Sequence, residues 1–378
     1  MKFIRPEFTR AELRGIGREM AMRILLGLNK DLSVPMQSSN SGCNTMLNQS
    51  QEATLMQTTR RAFVGALGAA TAVAAASRGA KDPTASTDKV LFYVAAATPC
   101  DKNLRFDEAV YRDMMSYFKE SGADGVVVLG TTGEYPSFSV AERKKIAETA
   151  LKHKSGLSIM VGPGTANFPE TIELSQHAAT NGADGLLIIP PFYYKNPPLE
   201  GLTKYYSLIF EQVKIPINLY HIPGTSGVPI TNELLHSLEH YPNLAGIKDS
   251  TGNAEGYAAF VKEFPKLNMR SGTGNNLKTA IDNGMGAILM EGNLFTKQIA
   301  AVFAAHRQGK DIDAPLAKLK EAQQLMRPTG IGSFGPMKYA LSLQMGTHQT
   351  YQRPPHPDVT EEQKAQIKAK LDEMKRSA

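Results

Sequence analysis

A lysine interrupts an apolar, strand-like run near the middle of the chain. The run covers residues 244–250 and reads LAGIKDS, with Lys248 near its end. A buried ammonium is costly, but burial lowers the pKa of a lysine, and the neutral amine is a nucleophile toward carbonyl carbon. A lysine at a strand end whose amine reaches solvent is the alternative interpretation. The residues that accompany Lys248 decide between the two.

Other side chains capable of chemistry occur at comparable places along the chain. Residues 130–134 read GTTGE, residues 190–194 read PPFYY, and residues 220–227 read YHIPGTSG. Each motif is weak by itself, since GTTG could be an ordinary turn and Tyr220 could be a core aromatic whose hydroxyl is satisfied. Their meaning depends on whether the fold brings them together.

Short apolar runs recur eight times after Lys89, and longer amphipathic segments follow them. Eight strand–helix pairs in about 220 residues predict an α/β fold, a single (β/α)8 TIM barrel. An open doubly wound sheet is the alternative, but it does not require eight evenly spaced units. Catalytic groups of such barrels lie at the carboxyl ends of the strands, where the motifs above stand. The apolar runs are 90–98, 125–131, 158–164, 185–194, 217–223, 244–250, 267–272 and 286–292.

Helix-start signals and a C-terminal extension complete the predicted fold. Ser139 lies three residues before Glu142, and Thr231 precedes Glu233, as is typical of helix N-termini. We expect the barrel to occupy residues 88–309 and a C-terminal helical appendage to occupy residues 310–378. The predicted helices include Val140–Lys154, Pro169–Asn181, Glu200–Val213, Asn232–Tyr241, Leu277–Gly284, Asp313–Met326, Gly335–Met345 and Thr360–Met374.

The first eighty residues differ in character from the rest. Arg60 and Arg61 precede a weakly apolar, Ala/Gly-rich run, and residues 56–80 resemble a twin-arginine export signal. We expect residues 1–55 to be a non-native or disordered extension upstream of a start at Met56. Use of the signal would place the protein in the periplasm or outside the cell, and otherwise in the cytoplasm. An Ala-rich helix or a disordered tail is the alternative.

Composition excludes several classes of function. The chain carries 42 Lys+Arg and 36 Asp+Glu, but residues 1–80 hold ten of the former and five of the latter. The remainder is nearly neutral, so no nucleic-acid footprint is expected, and the apolar run of the leader is too short for a membrane span. Cys43 and Cys100 predict no internal disulfide once the leader is removed. The eight scattered His show no metal-ligand spacing, so neither a metal nor another cofactor is expected.

The four strand-end motifs, in this order, resemble those of the dihydrodipicolinate synthase / N-acetylneuraminate lyase family of pyruvate-dependent class I aldolases. The resemblance covers about residues 90–340. It implies that Lys248 forms a Schiff base with the keto carbon of pyruvate or another 2-keto acid, and that Tyr220 transfers the proton beside it. The chemistry agrees, because an iminium makes the adjacent carbon acidic and a phenol can move its proton.

The resemblance also implies how the keto acid is bound and how its proton leaves. Thr131 and a tyrosine from a neighbouring subunit, Tyr194 or else Tyr193, would complete a proton relay. Thr131, Thr132 and Gly133 would hold the carboxylate through hydroxyl and N–H groups, without a metal. A residue shared between subunits implies a homo-oligomer, and the family pattern is a homotetramer.

Substrate choice is where the sequence departs from the named members of this family. Thr225 stands where dihydrodipicolinate synthases usually carry an Arg for the carboxylate of the aldehyde, and residues 271–276 (SGTGNN) lack the acids usual in sialic acid lyases. We therefore expect Thr225, Thr273 and Asn275 to line a polar, uncharged pocket for a hydroxylated aldehyde or sugar acid. His221 is expected to be structural, with tuning of the site or substrate binding as the alternative.

Three other functions are compatible with the same motifs. Two of them, 4-hydroxy-tetrahydrodipicolinate synthase proper and a 2-keto-3-deoxy sugar acid dehydratase, form the same imine at Lys248. The third is a non-catalytic exported keto-acid-binding protein, which the Lys-Tyr-Thr set disfavours because binding alone needs no nucleophile.

Overall fold

Eight parallel strands close into a barrel in which each strand pairs with its neighbours in chain order. The structure is a computed structural model that describes residues 90–376, so the predictions for residues 1–55 and 56–80 lie outside the described residues. The closed order confirms the (β/α)8 barrel and excludes the open doubly wound sheet. The strands are β1 Phe92–Ala95, β2 Gly125–Val128, β3 Ser158–Val161, β4 Gly185–Ile188, β5 Ile217–His221, β6 Leu244–Asp249, β7 Asn268–Ser271 and β8 Ala287–Leu289.

The strands are shorter than the apolar runs that predicted them. The run 185–194, for example, leaves the sheet at Ile188, and its last six residues belong to the loop that follows β4. Strands of a parallel barrel are covered on both faces and therefore read as continuous apolar runs. The apolar character continues past the strand ends because the loops at the mouth of the barrel are themselves partly buried.

The barrel interior below the mouth contains a buried arginine. Arg270 on β7 donates from Nη1 to Asn218 Oδ1 at 2.7 Å, and its guanidinium lies 5.3 Å from the centroid of the Tyr93 ring. The strands around it approach closely through glycine. A Cβ at Gly246 would lie 2.0 Å from the carbonyl oxygen of Asn268, so only glycine fits the β6–β7 contact.

Helices alternate with the strands, as the amphipathic segments predict. The side chain of Ser139 accepts from Glu142 N, and the Glu142 carboxylate accepts from Ser139 N, which is the predicted capping box. The side chain of Thr231 accepts from Leu234 N at the start of another helix. The main helices are α1 Glu108–Glu120, α2 Val140–Lys152, α3 Phe168–Thr180, α4 Leu199–Gln212, α5 Asn232–Leu238, α6 Ala254–Glu263, α7 Leu277–Asp282 and α8 Gly292–Arg307. A four-residue helix, Pro223–Ser226, lies between β5 and α5 and carries Thr225.

Three further helices form the predicted C-terminal appendage: α9 Asp313–Met326, α10 Phe334–Met345 and α11 Glu361–Arg376. After α10 the chain returns to the barrel, where Tyr351 forms an antiparallel bridge with Cys100 in the loop after β1. Tyr351 N donates to Cys100 O at 2.9 Å, and Cys100 N donates to Tyr351 O at 3.3 Å. This bridge holds the segment after α10 beside the carboxyl ends of the strands.

Candidate active site

Two neighbouring strands bring the predicted nucleophile and the predicted proton-transfer group together. Lys248 on β6 and Tyr220 on β5 are register partners, and Lys248 Nζ lies 4.5 Å from the centroid of the Tyr220 ring. Each residue is only 5% exposed. Lys248 is therefore enclosed by the barrel, and the alternative of a strand-end lysine that reaches solvent does not apply.

The surroundings of the Tyr220 hydroxyl lower its pKa. Burial acts to raise the pKa of this phenol, but the charge of Lys248 and the side chains of Ser250, Thr131 and Lys248 outweigh burial. A phenol with a lowered pKa exchanges its proton more readily at neutral pH than free tyrosine does. Ser250 was not singled out from the sequence, although it lies two residues after the lysine and therefore on the same face of the strand end.

The GTTGE motif forms a tight turn directly after β2. Residues Thr131–Gly133 make one turn of 3₁₀ helix, closed by hydrogen bonds from Gly133 N to Gly130 O and from Glu134 N to Thr131 O, both at 3.0 Å. Thr98 anchors the turn, since its hydroxyl donates to Gly133 O at 2.9 Å. The Thr131 hydroxyl is buried close enough to Tyr220 to contribute to the lowered pKa of that phenol, but it is not in hydrogen-bond geometry with any described residue. It therefore retains the capacity to bind a ligand.

Gly272, at the end of β7, makes room for the lysine. A Cβ at this position would lie 2.1 Å from Ser250 Oγ and 2.9 Å from Lys248 Cε. Any side chain here would displace the lysine or the serine beside it. The sequence shows this glycine only as part of the SGTG motif, and its role follows from the proximity of β6 and β7.

Glu134, the last residue of the same motif, is buried and forms an ion pair with Lys338 on α10. Burial lowers the pKa of Lys338, and the Glu134 carboxylate opposes that shift. The backbone of Glu134 is left-handed, with φ +52° and ψ +33°. The sequence does not indicate this pair, because Lys338 lies more than two hundred positions away in a mostly buried helix.

Arg353 links the segment after α10 to the loop between β2 and α2 and to the first turn of α2. Its guanidinium donates to Ser137 O at 2.6 Å and binds both carboxylate oxygens of Glu142, at 2.5 and 3.2 Å. The hydrogen bond from Arg353 is the main reason that the pKa of Glu142 falls to about 2. Arg353 N also donates to Glu134 Oε2 at 3.0 Å. The segment after α10 is thus bound at two places, to Glu134 through the Arg353 N–H and to the residues that follow the turn through the Arg353 guanidinium.

An open cavity of about 290 Å³ lies beside Thr131 at the mouth of the barrel. Thr225, which the sequence predicts to line a second-substrate pocket, is one of its lining residues. The wall is mainly aromatic and apolar, so the polar character expected of this pocket is not found around Thr225. No lysine or arginine is among the lining residues, which are Thr131, Glu134, Tyr135, Pro136, Ser137, Ile189, Phe192, Thr225, Phe334, Pro355 and His356.

Thr273 and Asn275 lie on the opposite side and do not line this cavity. The Thr273 hydroxyl is buried and completes no hydrogen bond within residues 90–376, while Asn275 is exposed. Glu291, directly after β8, accepts a hydrogen bond from Gly274 N at 3.2 Å. The loop after β7 therefore has an acidic neighbour that residues 271–276 themselves lack.

His221 has the structural role expected of it. The residue is buried on β5, and its Nδ1 accepts a hydrogen bond from Ile230 N at 2.9 Å. Its ring stands edge-on to Phe260, with centroids 5.5 Å apart. Burial lowers the pKa of His221, against the opposing effect of Asp249. The imidazole faces away from the Lys248–Tyr220 pair, since neighbouring residues of a strand point to opposite sides.

Tyr193 and Tyr194 project from the loop between β4 and α4. They are 73% and 75% exposed, and their rings form a perpendicular pair with centroids 5.2 Å apart. Within one chain, Tyr194 is therefore not brought into the enclosed site of Lys248. Two adjacent exposed aromatic rings are the kind of surface that packs against a partner.

The described residues offer no metal centre and no membrane helix. Among residues 90–376 there is no group of three or more His, Cys, Asp or Glu side chains arranged to hold a metal ion. No helix in the same range has the length and apolar character needed to cross a bilayer.

The family model and the curated relatives that match this chain belong to one family. Residues 90–374 match the model of the dihydrodipicolinate synthetase family. A relative from Chloroflexus aurantiacus, described as an uncharacterized DapA-like lyase, is 34% identical over 260 residues, which cover 68% of this chain and 86% of the relative. The 4-hydroxy-tetrahydrodipicolinate synthase of Brucella suis is likewise 34% identical over 260 residues, covering 66% of this chain and 86% of that enzyme.

Solved structures show the same relationship. YagE, a prophage protein of the dihydrodipicolinic acid synthase family from E. coli K12 crystallised with pyruvate, is 26% identical with a TM-score of 0.69, over 76% of this chain and 98% of that one. N-acetylneuraminate lyase from Fusobacterium nucleatum has a TM-score of 0.69 at 23% identity, over 76% of this chain and 99% of that one. Because this chain and the N-acetylneuraminate lyase are only 23% identical, their similarity shows a shared fold and nothing further.

Proposed function

This chain belongs to the dihydrodipicolinate synthetase family and is a lyase, and we propose that Lys248 forms a Schiff base with pyruvate or a related 2-keto acid. The single observation that carries the proposal is the buried contact between Lys248 and Tyr220, 4.5 Å from amine nitrogen to ring centroid. A lysine enclosed beside a phenol of lowered pKa has both the nucleophile and the proton carrier that imine chemistry requires.

The reaction begins when the unprotonated Lys248 amine attacks the keto carbon. The resulting carbinolamine takes up a proton from solvent and loses its hydroxyl group as water, which gives an iminium that withdraws electrons from the adjacent carbon. Tyr220, as the phenolate, takes the proton released from that carbon. The enamine that forms attacks the carbonyl carbon of an aldehyde, whose oxygen receives the proton held by Tyr220. Cleavage follows the same steps in reverse, with the proton returned by Tyr220. Hydrolysis of the final iminium regenerates Lys248 and releases the product.

The carboxylate of the keto acid binds at the turn after β2. The Thr131 hydroxyl is buried without a completed hydrogen bond, and N–H groups at the start of a helical turn have no partner within it. Thr132 and Gly133 continue the same turn. Donors fixed in this way favour an anion without needing a metal.

Tyr194 of a second copy completes the proton relay from Tyr220 and Thr131 to solvent. The exposure of both Tyr193 and Tyr194 supports this assignment, because two large aromatic rings on one loop gain most by packing against another subunit. The assembly proposed on this basis is a homotetramer built from pairs that exchange these tyrosines.

The acceptor aldehyde is uncharged and carries hydroxyl groups. The absence of lysine and arginine from the wall of the 290 Å³ cavity argues against an aldehyde that carries a carboxylate, since such a group binds best to a bidentate arginine. Thr225 replaces that arginine and offers a hydroxyl group instead. Ser137 and His356 are further polar residues of a wall that is otherwise mainly aromatic and apolar.

The acceptor class is tested by steady-state kinetics with pyruvate and a matched pair of aldehydes, glyceraldehyde and aspartate semialdehyde. We expect the hydroxylated aldehyde to have the higher kcat/KM, and Thr225→Arg to shift the ratio toward the semialdehyde by at least about tenfold. Efficient condensation of the unmodified protein with aspartate semialdehyde would identify the acceptor as a carboxylate-bearing one.

Reduction of the imine tests the central proposal. Incubation with pyruvate and borohydride is expected to add the reduced pyruvyl group irreversibly to Lys248, as located by peptide mass spectrometry. Lys248→Ala should show no adduct and no turnover while keeping the circular dichroism spectrum of the original protein. A folded protein that gives no adduct at Lys248 overturns the mechanism, and tight binding of pyruvate without an adduct identifies a keto-acid binder.

A further inference from the structure

The buried ion pair between Glu134 and Lys338 connects the keto-acid turn to the C-terminal helices. Glu134 immediately follows Thr131–Gly133, and Lys338 lies on α10. Their side chains are 0% and 1% exposed, and neither has a role in the proposed reaction. Two charges are removed from water here, which is costly unless both are well satisfied.

Both partners of the pair have a second, independent contact. Lys338 Nζ donates to Tyr351 O at 2.8 Å, and Glu134 Oε2 accepts from Arg353 N at 3.0 Å. The pair therefore joins three segments at one point: the turn after β2, helix α10, and the chain that returns to the barrel after α10. A contact of this kind fixes geometry in a way that apolar packing does not.

The backbone of Glu134 has a conformation that needs support from its surroundings. Its φ of +52° lies in the left-handed region, which a residue with a Cβ adopts reluctantly. Glu134 N nevertheless closes the turn by donating to Thr131 O at 3.0 Å. The carboxylate is held from the other side by Lys338, so the ion pair keeps the residue in this conformation.

We propose that the Glu134–Lys338 ion pair is a positioning element, which holds the Thr131–Gly133 turn in the shape that receives the keto-acid carboxylate. The proposal rests on the function proposed above. It makes the C-terminal helices part of the site, and Phe334, which begins the same helix α10, also lines the cavity beside Thr131. Glu134 and Lys338 act through the turn and touch no reacting atom.

Three variants test the proposal: Glu134→Gln, Lys338→Met, and the double variant, which leaves no unpaired buried charge and is therefore expected to fold. Ser342→Ala is the matched control. Ser342 lies one turn beyond Lys338 on α10, and its hydroxyl is buried between Lys338 O at 2.9 Å and Thr350 Oγ1 at 3.2 Å. The control weakens the same helix without touching Glu134.

Two measurements are made on each full-length protein. The first is hydrogen–deuterium exchange of the peptide that covers Gly130–Glu134, which does not depend on any chemistry at Lys248. The second is the pyruvate concentration that half-saturates borohydride trapping. We expect faster exchange in the three variants and a half-saturating concentration raised about tenfold or more, with the maximal extent of trapping little changed. The double variant should show the same change in both measurements as each single variant, because all three variants remove the same ion pair.

The control separates positioning from general stability. Ser342→Ala should lower the melting temperature but leave both the exchange of the turn and the half-saturating concentration as in the original protein. Unchanged exchange in Lys338→Met and in the double variant overturns the proposal, as does an equal rise of the half-saturating concentration in Ser342→Ala. If the unmodified protein gives no pyruvate adduct, the proposed function fails, and the exchange measurements alone decide whether the pair holds the turn.

Discussion

Removal of the Tyr220 hydroxyl should stop proton transfer without preventing imine formation. The phenol is buried next to Lys248, and only the oxygen is lost in Tyr220→Phe, so the ring packing is retained. General acid–base catalysis by a positioned group contributes roughly 10²–10⁴ in rate. At about 1.4 kcal/mol per tenfold, the variant should lose on the order of 3–5 kcal/mol of transition-state stabilisation.

Exchange of the methyl protons of pyruvate in D₂O, followed by NMR, measures this step directly. The exchange requires the imine and the proton carrier but not the acceptor aldehyde. We expect Tyr220→Phe to exchange at a rate lower by roughly 10²–10⁴, while borohydride still traps pyruvate on Lys248. Tyr257→Phe is the matched control, because Tyr257 is another buried tyrosine whose hydroxyl donates to Met269 O, outside the site.

The pH dependence of the same exchange tests the environment of the phenol. The pKa of Tyr220 is lowered below that of free tyrosine, so the phenolate that accepts the proton forms at lower pH than usual. The rate should rise with pH through that lowered pKa. Ser250→Ala removes one of the interactions that lower the pKa, so its profile should shift to higher pH. Exchange by Tyr220→Phe within tenfold of the original rate would refute the assignment of the proton carrier.

Three further predictions concern the scaffold. Asn218→Leu leaves Arg270 without its 2.7 Å acceptor inside the barrel, and urea unfolding should show a loss of about 2–3 kcal/mol. The pKa of Glu142 is lowered from 4.5 to about 2, chiefly by its hydrogen bond with Arg353. The ionised Glu142 carboxylate therefore stabilises the folded protein fully above pH 4.5, and this stabilisation disappears as the pH falls toward 2. The difference in the free energy of unfolding between the original protein and Glu142→Gln should shrink over the same pH interval. Gly246→Ala places a Cβ 2.0 Å from a backbone oxygen of the next strand, and the variant should lose at least about 3 kcal/mol or fail to yield soluble protein.

The amino-acid sequence determined the class of fold and indicated which residues are the candidates for chemistry. A strand of a parallel barrel is buried on both faces, so each one appears as a continuous apolar run, and eight such runs at regular spacing predict closure. The GIKD, YHIPG and GTTGE motifs were visible because they interrupt or end those runs. Each motif by itself has an ordinary structural explanation, so Lys248, Tyr220 and Thr131 were chosen from the order of the motifs at the strand ends and from their resemblance to one family.

The tertiary structure decided which distant residues support these three. Ser250, Gly272 and Lys338 contact the site because separate strands and a C-terminal helix meet at the mouth of the barrel. No local pattern marks Gly272 or Lys338, since hydrophobic periodicity reports burial along one element and carries no information on which elements meet. For the same reason, the wall around Thr225 is more apolar than its own segment indicates. The aromatic and proline residues of this wall come from the loops after β2 and β4, from the start of α10 and from the chain after α10.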